Sequence, residues 1–181
     1  MMQQPEHPLS LFTHCPKCGG KRFEIHNEKS KECADCHFVY YYNSSASVVA
    51  FITGKDGGLL VCRRAKEPAK GTLDLPGGFV DLNETGEEAV IREIKEETGL
   101  EISTVRYLFS LPNIYPYSGF TVHTLDLFFE CEVKNSDRLQ ANDDVAEVFF
   151  LPRKEIDPEK FGLTSVKKGL KSWLDMHKND F

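Results

Sequence analysis

The sequence lacks any apolar run long enough to cross a bilayer. Its start, MMQQPEHPLSLFTHC, also lacks the basic segment and apolar core of a secretory signal. Positive charge is scarce, because 22 Lys and Arg face 28 Asp and Glu, a net charge of −6. These absences argue against a membrane protein, a secreted protein and a general binder of nucleic-acid backbone, which needs a basic face. We therefore expect a cytoplasmic protein for which nucleic acid is an unlikely partner.

The character of the chain changes near residue 43. Residues 1–42 contain two Cys-x-x-Cys pairs and too few aliphatic residues for a core of their own. The rest of the chain alternates strand-like and helix-like patterns, so we predict two domains, 1–42 and 43–181, the second an α/β domain with a mixed sheet between helices. The predicted strands are 45–53, 59–64, 103–110, 120–133 and 145–151, and the predicted helices are 85–98 and 164–177. The Gly-rich stretch GKDGG predicts a hairpin between the first two strands.

The four N-terminal cysteines form two knuckles, Cys15-Pro-Lys-Cys18 and Cys33-Ala-Asp-Cys36, separated by fourteen residues. This spacing suits a tetrahedral zinc site in a small zinc ribbon. Four thiolate ligands leave no position for water, so we expect the zinc to be structural. Two disulfides or four unrelated thiols are the alternatives, and the missing signal segment disfavours disulfides.

Residues 77–100, GGFVDLNETGEEAVIREIKEETGL, place an acidic cluster on one helix. Thr85 and Glu88 form a capping-box signature, and Gly99 stands where a left-handed cap ends a helix. Helical spacing puts Val90 and Ile94 on the side that faces the sheet.

The cluster consists of Glu93, Glu96 and Glu97, which share a neighbouring sector of the helix. These residues occupy the last turns, where the helix dipole is negative and like charges repel by about 0.2–0.5 kcal/mol per pair. A solvated acidic surface is one interpretation. A site for Mg²⁺ or Mn²⁺ explains the placement better, because these hard cations bind carboxylate oxygens and phosphates.

Residues 78–100 match the pattern G-x5-E-x7-R-E-U-x-E-E-x-G-U, where U is a bulky aliphatic residue, at every position. The matching residues are Gly78, Glu84, Arg92, Glu93, Ile94, Glu96, Glu97, Gly99 and Leu100. The sequence therefore resembles the Nudix hydrolase family. The resemblance implies an α/β/α sandwich, preceded here by the zinc ribbon. It also implies metal-dependent hydrolysis of a nucleoside diphosphate linked to another moiety.

The resemblance also assigns roles to the box residues. Glu93 and Glu97 would bind Mg²⁺ or Mn²⁺ together with the backbone carbonyl of Gly78 or its neighbour Gly77, and Glu96 would bind a second ion or orient the water. Arg92 would hold the glutamates in place. We therefore predict Glu93, Glu96 and Arg92 as catalytic, with Glu93 the first candidate for the general base.

Several further roles are left open by the sequence. A salt bridge with Glu84 is an additional, structural role for Arg92. The loop acids Asp143, Asp144 and Glu147 are reserve candidates for the base. Asp144 is also a candidate metal ligand, with a solvated loop as the alternative.

The substrate is less well defined by the sequence. A zinc ribbon before a Nudix domain resembles the NADH pyrophosphatase branch, which carries S-Q-P-W-P-F-P-x-S after the box. This chain has SLPNIYPYS at 110–118, which keeps both serines and two of the prolines but lacks the Gln and the Trp. Pro116 also resembles a mark of ADP-ribose hydrolases, and the nearby tyrosines resemble marks of dinucleoside polyphosphate hydrolases. NAD(H) and ADP-ribose are therefore the expected substrates.

Tyr115, Tyr117 and Phe120 are predicted to bind the substrate by stacking on its base or nicotinamide ring from a loop. The alternative is that they are core aromatics beside an edge strand. Two other functions are left open: a nucleotide-sensing or RNA-binding module, and removal of a nucleotide cap from RNA by the same site. A homodimer is among the assemblies that the resemblance allows.

Overall fold

The computed structural model describes residues 7–134, 139–142 and 145–178. The chain divides into two compact units, one ending at Ser44 and the other beginning at Ser45, close to the predicted domain boundary. The first unit contains a three-stranded antiparallel sheet. Its strands are β1 (Phe23–Asn27), β2 (Ser30–Cys33) and β3 (Val39–Tyr41).

The second unit contains six strands and two α-helices within the described residues. They are β4 (Ser45–Ile52), β5 (Leu59–Arg64), β6 (Leu73–Asp74), α1 (Gly86–Thr98), β7 (Ile102–Tyr117), β8 (Phe120–Val133), β9 (Val145–Leu151) and α2 (Thr164–Met176). Two short 3₁₀ turns, Arg153–Glu155 and Pro158–Lys160, precede α2. The predicted strands and helices are confirmed, and β6 is an additional short strand that was not predicted.

The strands of the second unit form two sheets. In the first, β8 lies at the centre, parallel to β4 and antiparallel to β7. In the second, β5 lies between β6 and β9 and is antiparallel to both. The first sheet is therefore mixed, as predicted.

The predicted hairpin between β4 and β5 is wrong. The two strands meet at a bridge between Thr53 and Leu59, and Gly54 donates to the Gly58 carbonyl at 2.8 Å. Beyond this turn the strands separate into different sheets. The inner part of β4 is buried on both faces, as is usual for a strand in parallel pairing. The Gly-rich turn reverses the chain locally, but burial decides which strands pair.

The segment 110–118 is also different from the prediction. It continues β7 as far as Tyr117, and a tight turn at Ser118 and Gly119, both with positive φ, leads into β8. Pro112 and Pro116 hide the strand pattern in the sequence. They are tolerated because β7 is the edge strand of its sheet.

The core shows how the helices cover the first sheet. Along β4, Val48, Ala50 and Ile52 belong to one cluster of buried residues, while Val49 and Phe51 belong to another. The first cluster includes the buried face of α1: Ala89, Val90 and Ile94. The second includes the buried face of α2: Val166, Leu170 and Trp173. Because successive residues of a strand point to opposite faces, the two helices lie on opposite sides of the sheet, and the α/β/α sandwich is confirmed.

Among the described helices, none combines the length and the hydropathy that a membrane crossing requires.

Candidate active site

The four N-terminal cysteines converge in the first unit. Their sulfur atoms all lie within 4.8 Å of one another. The Cys15 and Cys36 sulfurs are 3.7 Å apart, and those of Cys18 and Cys33 are 3.6 Å apart. A tetrahedron of zinc–sulfur bonds of about 2.3 Å has edges of about 3.8 Å, so the geometry fits zinc. Burial raises the pKa of the Cys15 thiol, but hydrogen bonds from the backbone N–H groups of Cys18 and Lys17 outweigh this effect. The net result is a pKa lowered from 9.0 to about 7.

The loop before α1 is fixed against β4. Val48 donates to the Gly78 carbonyl at 2.8 Å, and Ala50 donates to the Pro76 carbonyl at 2.9 Å. Gly77 has φ 150°, and a Cβ there would lie 2.0 Å from the Val48 carbonyl oxygen. A Cβ on Gly78 would lie 2.5 Å from the Glu93 carboxylate. Residue 77 therefore requires glycine, whereas a side chain at residue 78 would displace the Glu93 carboxylate.

The helix α1 begins and ends as predicted. Thr85 accepts from the Glu88 backbone, and the Glu88 side chain accepts from Thr85 in return. At the other end Gly99 is left-handed, and its N–H bonds the Lys95 carbonyl. The three glutamates therefore occupy the last turns, and Glu97 accepts a hydrogen bond from the Gly77 N–H at 2.9 Å. This contact ties the C-terminal end of the helix to the glycine loop.

Arg92 organises the acidic side of the helix. Its Nε and Nη2 donate to the two oxygens of Glu84, both at 2.9 Å, which confirms the predicted salt bridge. Its Nη1 donates to Glu93 at 2.8 Å and to Glu96 at 3.0 Å. Nη2 also reaches the Phe79 carbonyl at 3.0 Å. One guanidinium therefore fixes the loop and two of the predicted catalytic acids.

These contacts shift the ionisation of both partners. The hydrogen bonds from Arg92, and the backbone N–H of Asp81, lower the pKa of Glu84 below its ordinary value. The Glu84 carboxylate, followed by Glu93 and Glu96, raises the pKa of Arg92 despite partial burial. Glu84 and Arg92 are therefore both charged at neutral pH.

The glutamates differ in exposure. The Glu93 side chain is 14% exposed and packs against Gly78, whereas the Glu96 side chain is 53% exposed. Glu96 and Arg92 line a shallow depression on the outer side of α1, and Glu97 lines a separate, deeper cleft. The three acids thus lie close in sequence but face different surroundings.

A divalent cation fits this donor set. Arg92 carries one positive charge and already contacts three carboxylates, and Glu97 adds a fourth nearby. Hard carboxylate and carbonyl oxygens suit Mg²⁺ or Mn²⁺. Among the described residues, only the four cysteines bring three or more ligand atoms within 4.8 Å of one another. An ion at the glutamates would therefore complete its shell with water and substrate oxygens, as Mg²⁺ usually does.

The cleft has a volume of about 360 Å³ and lies within the second unit. Glu97, Gly77 and Gly78 line it together with Tyr115 and Tyr117. Two of the predicted substrate residues therefore share a cavity with the box. The tyrosines lie on a strand, not on the predicted loop, because β7 extends to its turn.

The remaining predicted residues lie elsewhere. Phe120 pairs with Tyr117 at the start of β8 and, among the described residues, is not part of the cleft lining. Glu147 pairs with Arg63 at 3.0 Å on an exposed part of β9. Asp143 and Asp144 lie outside the described residues.

The polar residues of the cleft that the sequence did not point to include Arg64, Asp74, Asn113 and Asp126. Asp74 is buried and accepts from Arg64 at 2.5 Å. Burial raises the pKa of Asp74, although Arg64 opposes the shift. For Asp126 a usable signal existed, since an acid within the apolar run HTLDLFF is unusual for a buried strand.

Comparison with known proteins identifies the family. The family model described as the NUDIX domain matches residues 43–174, more than half of the chain. The chain belongs to the NUDIX family. The match covers the second unit up to the last turns of α2, including the complete box at 78–100.

Two curated NUDIX relatives are informative. The NAD-capped RNA hydrolase NudC of Vibrio atlanticus is 31% identical over 112 residues, which are 62% of this chain and 41% of that protein. The ADP-ribose pyrophosphatase of Methanocaldococcus jannaschii is 36% identical over 148 residues, 78% of this chain and 83% of that protein. This chain therefore spans less than half of the NudC relative and most of the second.

Solved NUDIX structures share the fold. A NUDIX hydrolase from Nitrosomonas europaea superposes with a TM-score of 0.71 at 22% identity and 92% coverage of both chains. The NUDIX domain of Shewanella oneidensis NrtR, solved with ADP ribose, gives a TM-score of 0.60 at 20% identity, over 77% of this chain and 91% of that one. At these identities the likeness supports the shared fold alone.

Proposed function

We propose that this NUDIX protein is a metal-dependent pyrophosphohydrolase acting on a nucleoside diphosphate linked to another moiety, such as NAD(H) or ADP-ribose. The Glu97 carboxylate carries the proposal, because it lines the cleft and is tied to the Gly77 N–H. It thereby joins the acidic helix end, the glycine loop and the tyrosines in one cavity. The relatives named for ADP-ribose and for NAD-capped RNA support the substrate class.

Mg²⁺ or Mn²⁺ would be held by Glu93, Glu96 and Glu97 with the carbonyl of Gly78. That carbonyl already accepts from Val48, but a carbonyl oxygen has a second lone pair. When bound, the ion neutralises phosphate charge and lowers the pKa of a coordinated water. Asp144 remains a proposed further ligand outside the described residues.

The residues of the chain supply the remaining steps. Glu93, shielded beside Gly78, accepts the proton of the attacking water. The water oxygen forms a new bond to one phosphorus as the bridging P–O bond breaks, and the leaving phosphate takes the bonding electrons. Arg92 is a positioning residue: its paired hydrogen bonds to Glu84 fix the guanidinium, which in turn holds Glu93 and Glu96 in place. Tyr115 and Tyr117 offer ring faces to the base or nicotinamide.

The test is Glu97→Gln, with Glu87→Gln as the matched control. Glu87 is an exposed glutamate in the first turn of the same helix. Each protein is assayed on NADH, NAD⁺ and ADP-ribose with Mg²⁺ or Mn²⁺, and the products are identified by chromatography. We expect Glu97→Gln to lose more than about 100-fold in turnover, since even outer-shell changes at metal sites cost about 10–100-fold. Full metal-dependent turnover by Glu97→Gln would refute the proposal.

A second candidate is removal of a nucleotide cap from RNA by the same site, favoured by the similarity to NudC. NAD-capped RNA and free NAD⁺ should be compared side by side at equal concentration. Higher kcat/KM on the capped RNA would identify it as the preferred substrate. Salt-sensitive RNA binding without any hydrolysis would instead favour a binding module.

We also propose that residues 1–42 act as a zinc ribbon with a structural role and that residues 43–181 are the catalytic domain. The convergence of the four sulfurs supports the first part. A homodimer is our proposed assembly, and sedimentation equilibrium of the zinc-loaded protein tests it.

A further inference from the structure

An unpartnered amide lines the cleft. Asn113 on β7 is only 5% exposed and lines the cleft. Among the described residues, Ser30 Oγ is the one fully buried side-chain polar atom without a partner, so the Asn113 amide, which has no side-chain hydrogen bond there, keeps contact with the cleft space. An amide that faces a cleft and has no partner within the protein is available to hydrogen-bond a ligand or an ordered water. Asn113 can donate two hydrogen bonds and accept two.

A buried acid lies beside this amide. Asp126 is 3% exposed, and its oxygens accept from the hydroxyls of Ser47, Thr124 and Ser165. No cation pairs with it in the described part of the chain, in contrast to Asp74, which has Arg64. A carboxylate can accept about four hydrogen bonds, so one acceptor position on Asp126 is left for a ligand.

The strand register places these groups on one face with the tyrosines. Asn113 pairs with Thr124, the hydroxyl that donates to Asp126. Tyr115 lies two residues further along β7, and residues two apart share a face of a strand. The face therefore presents the Asp126 carboxylate, the Asn113 amide and the Tyr115 ring side by side, and all three line the cleft. This combination suits a flat ring that carries an N–H donor beside an acceptor.

We propose that Asn113 and Asp126 form the subsite for the amino edge of a planar nitrogen heterocycle of the nucleotide. Adenine and nicotinamide both have this chemistry, because each bears an NH₂ group next to an acceptor atom. The inference deepens the proposed function, since it names what the cleft recognises beyond the pyrophosphate. A site built around N–H donors rejects analogues in which oxygen replaces the amino group.

The experiment measures binding without turnover. AMP, IMP, NMN and nicotinic acid mononucleotide are titrated by calorimetry into the zinc-loaded full chain, without Mg²⁺ or Mn²⁺. Within each pair the second member has oxygen where the first has NH₂. We expect the wild type to prefer the amino member of at least one pair by at least about tenfold. The pair that shows the preference identifies the ring as adenine or nicotinamide.

Two variants and a control complete the design. Asn113→Leu and Asp126→Asn should each reduce the preference to less than about threefold, because each removes a hydrogen-bonding group that faces the amino edge of the ring. Ile114→Ala, an exposed change on the opposite face of β7, should keep it. Equal binding of both members of both pairs by the wild type overturns the inference, and so does a preference that survives both variants. Preference without hydrolysis of any substrate would leave this inference standing while the proposed function falls.

Discussion

Replacing Asn113 by leucine should make the protein more stable while it weakens nucleotide binding. The two side chains are similar in size, so the change removes the polar atoms without opening a cavity. Leaving a fully buried polar group unsatisfied costs about 1–3 kcal/mol, and the Asn113 amide is only partly desolvated because it keeps contact with the cleft. Because Asn113 borders a cleft that water can enter, we expect the lower end, about 1 kcal/mol of added free energy of unfolding. In a chain of 181 residues this corresponds to a rise in Tm of about 2–4 °C.

The assay is urea unfolding of both proteins with zinc present, followed by circular dichroism, without and with AMP or NMN. At a ligand concentration of 100 times its Kd, binding stabilises the wild type by about 2.7 kcal/mol. The variant should gain much less, so the order of stability reverses when ligand is added. Ile114→Ala is the matched control and should shift the free energy of unfolding by less than about 0.5 kcal/mol. If Asn113→Leu is less stable than the wild type without ligand, the amide has partners that contradict this reasoning.

Three further changes test the box and the ribbon. Gly78→Ala should lose about 100-fold in turnover, because its Cβ would lie 2.5 Å from the Glu93 carboxylate and push it aside. An unchanged kcat would contradict the close contact between residue 78 and Glu93. Glu84 has a pKa below its ordinary value of 4.5, so the stability it contributes is fully present above pH 4.5 and is lost as pH falls through the lowered pKa. The stability difference between wild type and Glu84→Gln should therefore shrink below pH 4.5 in acid titrations of unfolding, and a constant difference would refute the assignment. Cys33→Ser should release the zinc, measured with a chromogenic chelator, since a structural site needs all four ligands; full zinc retention would argue against the Cys₄ site.

The parts of the structure that could be predicted are those with local signals. Both ends of α1 are set by residues next to them in the chain: the capping pair Thr85 and Glu88 at the start and Gly99 at the end. The bounds of β8 and β9 followed from strand patterns that run without prolines. The bridging role of Arg92 followed from the resemblance of residues 78–100 to the Nudix box, and its contact with Glu84 is present in the structure.

The errors have a different origin. The hairpin between β4 and β5 failed because pairing depends on residues 70 or more positions away, such as the partners of β4 on β8. The prolines of β7 imitate a loop, and only the edge position of the strand makes them acceptable. In the same way Phe120 was grouped with the tyrosines by proximity in sequence, although strand alternation and the turn decide what faces the cleft.

The two ends of the cleft therefore differ in how the sequence specifies them. Gly77 and Glu97 are 20 residues apart in one loop and helix, whereas Ser47 and Asp126 are 79 residues apart and meet only through the sheet. A one-residue slip of β7 would turn Asn113 outward and bring Ile114 into the cleft, while the box would be untouched. A motif of fixed spacing can thus preserve the metal chemistry while the register of the sheet sets the face that meets the nucleotide's ring. The substrate of a protein with this box should accordingly be inferred from the face of β7 and β8, and for this chain that face offers an amide and an acid where an amino group can bind.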